Sequence, residues 1–304
     1  MTKIIIAGGT GYLGKLLSNH FSEKNYKVII LTRGTSKFEN NITYLNWKDN
    51  WQKELETTET VINLSGKSIN CLFTKKNREL LISSRISTTN LLNQAILKCK
   101  NAPKLFINAS GISIYKSTYK IDYNEYNEEF GTDFLSILSQ KWEETFYKIK
   151  TPKTRKIAIR TSPVLGKNSN AIKTLIPIVK LGLGGKQGNG KQLFPWIHEQ
   201  DYINAIDFIM NQKEIIGSVN LISPKPITNA QFMLSFRKVL NIKIGLPTFA
   251  FSLYLAKYIT KVEPEIILTS LYAQPKKLEK FGYKFIYSKI DSALSEILKT
   301  KVNS

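Results

Sequence analysis

The chain has 304 residues, 42% of them hydrophobic, with 44 Lys and Arg against 23 Asp and Glu, a formal net charge of +21. That length and apolar content bury a large core, and no stretch approaches the roughly 18 uninterrupted apolar residues of a membrane span. The basic residues are scattered in short groups rather than gathered with aromatics, so the charge is read as attraction to anionic cofactors and substrates, not as a nucleic-acid surface. No membrane partner and no nucleic-acid partner are expected. Cys71 and Cys99, the two cysteines, have no metal or redox spacing, and no metal site is expected. Free thiols and the lack of a signal-peptide shape point to a cytoplasmic protein.

The N-terminal segment is the most informative. An apolar run, Ile4 to Ala7, leads into Gly8-Gly9-Thr10-Gly11-Tyr12-Leu13-Gly14, and Leu13, Leu16, Leu17 and Phe21 follow at helical spacing. Strand, tight turn and helix form the context of a dinucleotide fingerprint. Gly8 permits the turn, Gly11 lets the backbone approach a pyrophosphate, and Gly14 lets helix and strand pack closely. The helix start offers N–H groups and a positive dipole end to phosphates. Thr10, Tyr12 and Leu13 belong to the same cofactor-binding turn.

Strand-like runs recur at 3–7, 27–31, 60–64, 105–109, 156–160 and 218–222, and helical patterns fill 12–22, 75–98 and 133–148. This alternation predicts an α/β fold with a doubly wound parallel sheet of Rossmann type. After about Thr228 the pattern is mainly helical, in short pieces punctuated by Pro247, Pro264 and Pro275. The expected organisation is a nucleotide-binding domain over 1–227, with substrate-loop insertions around 167–200, and a smaller helical cap over 228–304.

The second strand ends Leu31-Thr32-Arg33-Gly34-Thr35-Ser36-Lys37. A carboxylate there would bind the ribose 2′-hydroxyl of NAD and repel a 2′-phosphate. None is present. Arg33 can pair with a 2′-phosphate through its planar fork and Lys37 can assist, which favours NADP(H) over a merely solvated arginine. The run ending Asn63-Leu64-Ser65-Gly66 has small residues that let the backbone pass close to the adenine ribose, although an ordinary strand-end turn has the same composition.

These segments, in order, resemble the extended short-chain dehydrogenase/reductase superfamily, and more closely its atypical branch of epimerase family proteins. The resemblance spans nearly the whole chain. It rests on the glycine turn, Asn63-Leu64-Ser65-Gly66, Ser84-Arg85 with Thr88-Thr89, Trp142-Glu143, Arg160 to Gly166, Gly182 to Gly185, Trp196-Ile197-His198-Glu199-Gln200-Asp201 and the tail from Leu246 to Leu298. It implies a Rossmann-type sheet, NADP(H) binding, and cofactor roles for Arg85 and for the backbone near Val164. Superfamily members often dimerise through helices of this domain, which leaves a homodimer open.

Ordinary members of the superfamily use a Tyr-x-x-x-Lys pair on the helix after the fifth strand of the fold. Aligning on Glu143 puts Leu135 and Ser139 at those positions, and neither can do that proton chemistry. The strings Tyr44/Lys48 and Tyr272/Lys276 are accidental: one lies before the strand at 60–64 and the other contains Pro275. Asn108-Ala109-Ser110 ends the strand at 105–109, where side chains project over a nicotinamide. Asn108 is expected near the cofactor and Ser110 near a substrate carbonyl or hydroxyl. Tyr115 is a second proton-donor candidate, with no nearby Lys to lower its pKa of roughly 10. Trp196 and His198 are expected to border the substrate pocket, although His198 also reads as a structural histidine bonded to Asp201 or backbone. His20 reads as structural. Gly185 to Lys191 mimics a phosphate loop but has Gln192 where Ser or Thr would hold Mg²⁺, so it is read as a flexible loop bordering the substrate pocket rather than as a kinase or ATPase site.

The expected function is that of an oxidoreductase moving hydride between NADP(H) and a small carbonyl or alcohol substrate. The alternative is a catalytically degenerate NADPH-binding regulator, for which a cell-division role is a lead.

Overall fold

The computed structural model describes residues 1–120 and 123–298. In chain order the elements are β1 Lys3–Ala7, α1 Tyr12–Glu23, β2 Lys27–Thr32, β3 Lys37–Glu39, β4 Ile42–Asn46, β5 Thr60–Asn63, α2 Lys75–Leu97, β6 Leu105–Gly111, α3 Phe134–Lys148, β7 Arg155–Thr161, β8 Val164–Leu165, α4 Asn170–Ile178, β9 Ile197–His198, α5 Glu199–Asn211, β10 Gly217–Leu221, α6 Asn229–Val239, α7 Ala250–Thr260, α8 Pro264–Leu268, α9 Lys276–Lys280 and α10 Ile290–Leu298. All six strands and all three helices expected from the sequence are present.

The eight-stranded sheet runs β10-β7-β6-β5-β1-β2-β4-β3, and every pairing is parallel except β3 with β4. The chain moves from β1 outward to β2, then crosses back to β5. The strand order therefore reverses beside β1, and the crevice above the carboxyl ends of β1 and β5 is the switch point where α/β sheets bind ligands.

The central strands are apolar throughout because both faces are covered. Ile4 and Ile6 point into one core with Leu17 and Phe21 of α1 and Tyr202, Ile206 and Ile209 of α5. Ile5 and Ala7 point into the other with Leu92 and Ile96 of α2 and Phe146 of α3. A third core joins Leu165, Ile172, Val179 and Trp196 to Phe232 and Phe236 of α6 and Leu294 and Ile297 of α10. Its side chains come from residues 165–196 and from the C-terminal segment.

The hairpin β3–β4 is not among the strands expected from the sequence. Its two-residue loop is Asn40-Asn41, with φ of 51° and 60°, the left-handed pair that a tight hairpin turn needs and that asparagine tolerates. The adjacent asparagines were the available signal.

Candidate functional site

The β1–α1 turn is built around backbone proximity. Gly8 has φ 80°, and a Cβ on it would lie 2.9 Å from the Leu64 carbonyl and the Ser65 nitrogen. The turns after β1 and β5 thus touch at the switch point. A Cβ on Gly14 would overlap Gly9 Cα, so helix and turn are in direct contact there. At Gly11, by contrast, a Cβ would meet only the Gly8 carbonyl oxygen at 3.6 Å. The protein itself leaves room at Gly11, and that space opens where a phosphate would approach.

Gly11 is the N-cap of α1. No side chain caps this helix, and no acidic residue lies in its first turn. The helices α2, α3, α4, α5 and α6 are all capped, by Thr74, Asp133, Ser169, His198 and Thr228. The α1 N-terminus therefore keeps bare N–H donors and an uncompensated positive dipole end. Thr10 and Gly11 are exposed there, and Tyr12 and Leu13 are half-buried. The Tyr12 hydroxyl donates to Glu199 Oε2 at 2.5 Å. Burial, with the Glu199 carboxylate adding to it, raises the Tyr12 pKa far above the ordinary phenol range.

Arg33 is exposed just beyond β2, with no hydrogen bond or ion pair holding its guanidinium among the described residues. Thr32 Oγ1 accepts from the Gly34 N–H at 3.1 Å, and Asn46 Nδ2 donates to the Arg33 and Gly34 carbonyls. These bonds shape the loop that presents Arg33. Lys37 does not stand beside it as a free cation: it pairs with Glu39 at 2.6 Å and lies over the Tyr44 ring.

Asn63 and Asn108 are fully buried and turned toward each other. Asn63 Nδ2 donates to Asn108 Oδ1 at 2.7 Å and to Thr89 Oγ1 at 3.0 Å, and Asn63 Oδ1 accepts from the Ser65 N–H. Trp142 Nε1 also donates to Thr89 Oγ1. The two amides are thus spent on each other, on Thr89 and on the backbone of Ser65 and Ala109. Arg85 is 8% exposed. It donates to the Leu81 carbonyl at 3.0 Å, lies over the Trp142 ring and packs against Gly66. It has no carboxylate partner among the described residues, and burial lowers its pKa to about 10.

Ser110 and Tyr115 converge on a buried ion pair. Arg160 Nε and Nη2 donate to the two oxygens of Glu143 at 2.9 and 2.8 Å. Ser110 Oγ donates to Glu143 Oε1 at 2.6 Å, and Ser218 Oγ donates to Oε2 at 3.0 Å. Arg160 Nη1 donates to the Tyr115 hydroxyl at 2.8 Å, and that hydroxyl faces Asn220 Oδ1 and the Asn124 carbonyl. Tyr115 is 1% exposed. Its hydroxyl is consumed inside the protein, and burial, outweighing the Arg160 charge, raises its pKa. Tyr115 is thus placed as a buried bracing residue rather than as a proton donor to the crevice. The sequence reading gave Glu143 and Arg160 no role. A charged residue in the apolar run Ile157-Ala158-Ile159-Arg160 was the signal, since a buried charge requires a partner. A cavity of about 340 Å³ is lined by Glu143 together with Ile114, Phe130, Gln140, Glu144 and Tyr147.

Leu135, at the usual tyrosine position, packs in an apolar cluster with Phe73, Leu81, Leu138 and Ile266. Ser139, at the usual lysine position, lies 3.2 Å from Ser113 Oγ. Trp196 does not line a pocket: it is 1% exposed and fills the third core. His198 caps α5 by accepting from the Gln200 N–H at 3.1 Å and meets Glu296 at 2.9 Å. Its partners are backbone and Glu296, not Asp201. Asp201 instead accepts from the Ile286 and Tyr287 N–H groups, each at 2.8 Å. The segment 196–201 therefore ties the C-terminal tail, and through Glu199 the nucleotide turn, to one strand–helix junction.

The carboxyl edge is strapped by residues 263–274. Glu263 Oε1 accepts from the Phe73 N–H at 2.7 Å, the Ser270 carbonyl from Thr118, and the Tyr123 carbonyl from Gln274. Leu271 donates to the Leu193 carbonyl, and the Tyr272 hydroxyl to that of Pro224. The strap joins the loops that follow β5, β6 and β10 to the segment that leads into β9.

A model of the NAD dependent epimerase/dehydratase family matches residues 4–221. An epimerase family protein of Staphylococcus aureus strain N315 is 30% identical over 304 residues, covering 98% of this chain and 100% of that protein. A human epimerase family protein, crystallised with NADPH, superposes with a TM-score of 0.88 at 25% identity, covering 97% of this chain and 99% of that one. UDP-N-acetylglucosamine 4-epimerase from Bacillus cereus shares the fold, with a TM-score of 0.76 at 18% identity and 98% of each chain covered. The chain belongs to the NAD-dependent epimerase/dehydratase family.

Proposed function

We propose that the protein is an NADP(H)-dependent oxidoreductase acting on a small carbonyl or alcohol substrate. The observation that carries this reading is the uncapped α1 N-terminus above the glycine turn, with Arg33 unpaired at the neighbouring strand tip. The residues fit the cofactor: the space at Gly11 admits a phosphate, and no carboxylate at the end of β2 repels a second one. The relative crystallised with NADPH supports the same choice.

The pyrophosphate would rest on Gly8, Thr10, Gly11, Tyr12, Leu13 and Gly14. Thr32 and Arg33 would take the 2′-phosphate, and the backbone of Leu64, Ser65, Gly66 and Val164 would flank the ribose and nicotinamide. Arg85 is a further cation on the same crevice. When bound, the nicotinamide supplies or accepts hydride at C4. The chain's own residues handle the proton. Ser110 Oγ donates to Glu143, so its lone pairs remain available to accept from a substrate hydroxyl. As Ser110 takes that proton it passes its own to Glu143, which Arg160 and Ser218 hold in place. Carbonyl reduction runs the same transfers in reverse.

The second reading, an NADPH-binding protein without turnover, is favoured by Leu135 and Ser139 at the usual catalytic positions. NADPH titration followed by NADPH consumption against a carbonyl panel separates the two. Turnover that falls about 10²-fold or more in Ser110→Ala, with NADPH binding retained, supports the relay. Turnover unchanged in that variant removes Ser110 from the mechanism. Tight NADPH binding with no turnover across the panel favours the second reading.

A further inference from the structure

The helix α7, Ala250–Thr260, has no buried residue. Of the 23 exposed large apolar side chains among the described residues, ten lie within 181–183 and 244–259. Phe251, Leu255 and Ile259 form one stripe at four-residue spacing, exposed by 68%, 69% and 86%. The segment that leads into the helix, and the loop laced to it, carry further exposed apolar residues. The Leu246 N–H donates to the Gly182 carbonyl at 2.8 Å, and the Gly185 N–H to the Leu246 carbonyl at 3.0 Å. This lacing sets Leu181, Ile244 and Leu246 on one edge. Single exposed apolar residues need no explanation, whereas a contiguous set marks an interaction surface.

The charge of this region identifies the occupant. Residues 180–191 and 237–262 contain eight Lys and Arg and no Asp or Glu, and Glu263 and Glu265 follow at the start of α8. Lys257 pairs with Glu263, while Lys180, Lys186, Lys243 and Lys261 have no ion pair among the described residues. A lysine-rimmed apolar surface with this excess of positive charge repels its own copy across a symmetric interface. It complements an anionic lipid surface, where Phe and Leu enter the headgroup boundary and lysines meet lipid phosphates. No helix among the described residues is long and apolar enough to cross a bilayer, so the contact is peripheral.

We propose that α7 and the laced 181–183 and 244–246 loops dock this protein on an anionic membrane surface. This departs from the sequence expectation of no membrane partner, which rested on the lack of a span. It is independent of the nucleotide reading.

The test is flotation of the full chain with vesicles of phosphatidylcholine alone or mixed with phosphatidylglycerol, at low and high salt. A second protein carries Phe251→Ser, Leu255→Ser and Ile259→Ser. These side chains lie outside the core clusters, so its melting temperature and NADPH affinity should match the wild type. Wild type should float with the mixed vesicles, at least about 10-fold less with phosphatidylcholine alone, and less at high salt. The triple variant should bind the mixed vesicles at least about 10-fold less. Failure of the wild type to float overturns the proposal, as does a triple variant that floats equally well. A wild-type dimer that the triple variant splits, without vesicle binding, assigns the surface to self-association and also overturns it.

Discussion

At the β1 end of the carboxyl edge, the first-turn N–H groups of α1 have no side-chain acceptor and Arg33 has no carboxylate. At the β6–β7 end, Ser110, Tyr115, Glu143 and Arg160 saturate one another, and Leu135 closes an apolar cluster where the superfamily usually places a tyrosine. One end is left unsatisfied by the protein and so is available to an anion. The other is satisfied internally, so whatever it does to a substrate runs through Ser110, whose lone pairs remain. An unsatisfied site can be weakened without unfolding the chain, while removing either partner of the Glu143–Arg160 pair leaves a buried charge.

The largest effect should therefore come from the saturated end. Glu143→Ala strands the Arg160 guanidinium, which is 5% exposed, and should cost about 3–5 kcal/mol in urea unfolding. A loss below about 1 kcal/mol would mean that water already screens the pair. At the open end, Arg33→Ala should weaken NADPH binding by about 1.5–3 kcal/mol and leave NADH binding unchanged, with no change in melting temperature. Equal losses for both nucleotides would move the 2′-phosphate away from Arg33. The two glycines sharpen the comparison further. Gly14→Ala forces a Cβ onto Gly9 and should cost about 1–3 kcal/mol of stability. Gly11→Ala should change stability by less than about 0.5 kcal/mol while still reducing nucleotide affinity in titration.

The smallest effect concerns pH. Burial holds the His20 pKa below its ordinary 6.5, against the pull of Asp207. The folded chain thus takes up this proton less readily than the unfolded chain. The contribution is full above the ordinary value and is lost as pH falls below it through the folded value. His20→Gln should flatten the acid side of the stability profile, read as urea midpoints across that range. An unchanged acid slope would show that His20 titrates alike in both states.

The glycine turn was legible because its requirements are local: strand, left-handed turn and helix lie within fourteen residues. The strands of the central sheet were legible for the same reason, since two-sided burial leaves continuous apolar runs. The hairpin β3–β4 escaped because β3 is wholly exposed and carries no apolar pattern. Tyr115, Trp196 and His198 show the limit on side-chain roles. Their fates are set by Arg160, by α6 and α10, and by Glu296, partners 36 to 101 residues away whose arrival no spacing reveals. Glu143 stood in a recognised segment, yet its role appears only when Arg160 and Ser110 are brought to it.

Titration of the purified wild-type protein with NADPH and with NADH tests the central claim most directly. The unsatisfied α1 terminus and the free Arg33 predict saturable NADPH binding at least about 10-fold tighter than NADH, a difference of about 1.4 kcal/mol. Equal affinity would remove Arg33 as the selecting group. Binding of neither nucleotide would contradict the account of the glycine turn itself.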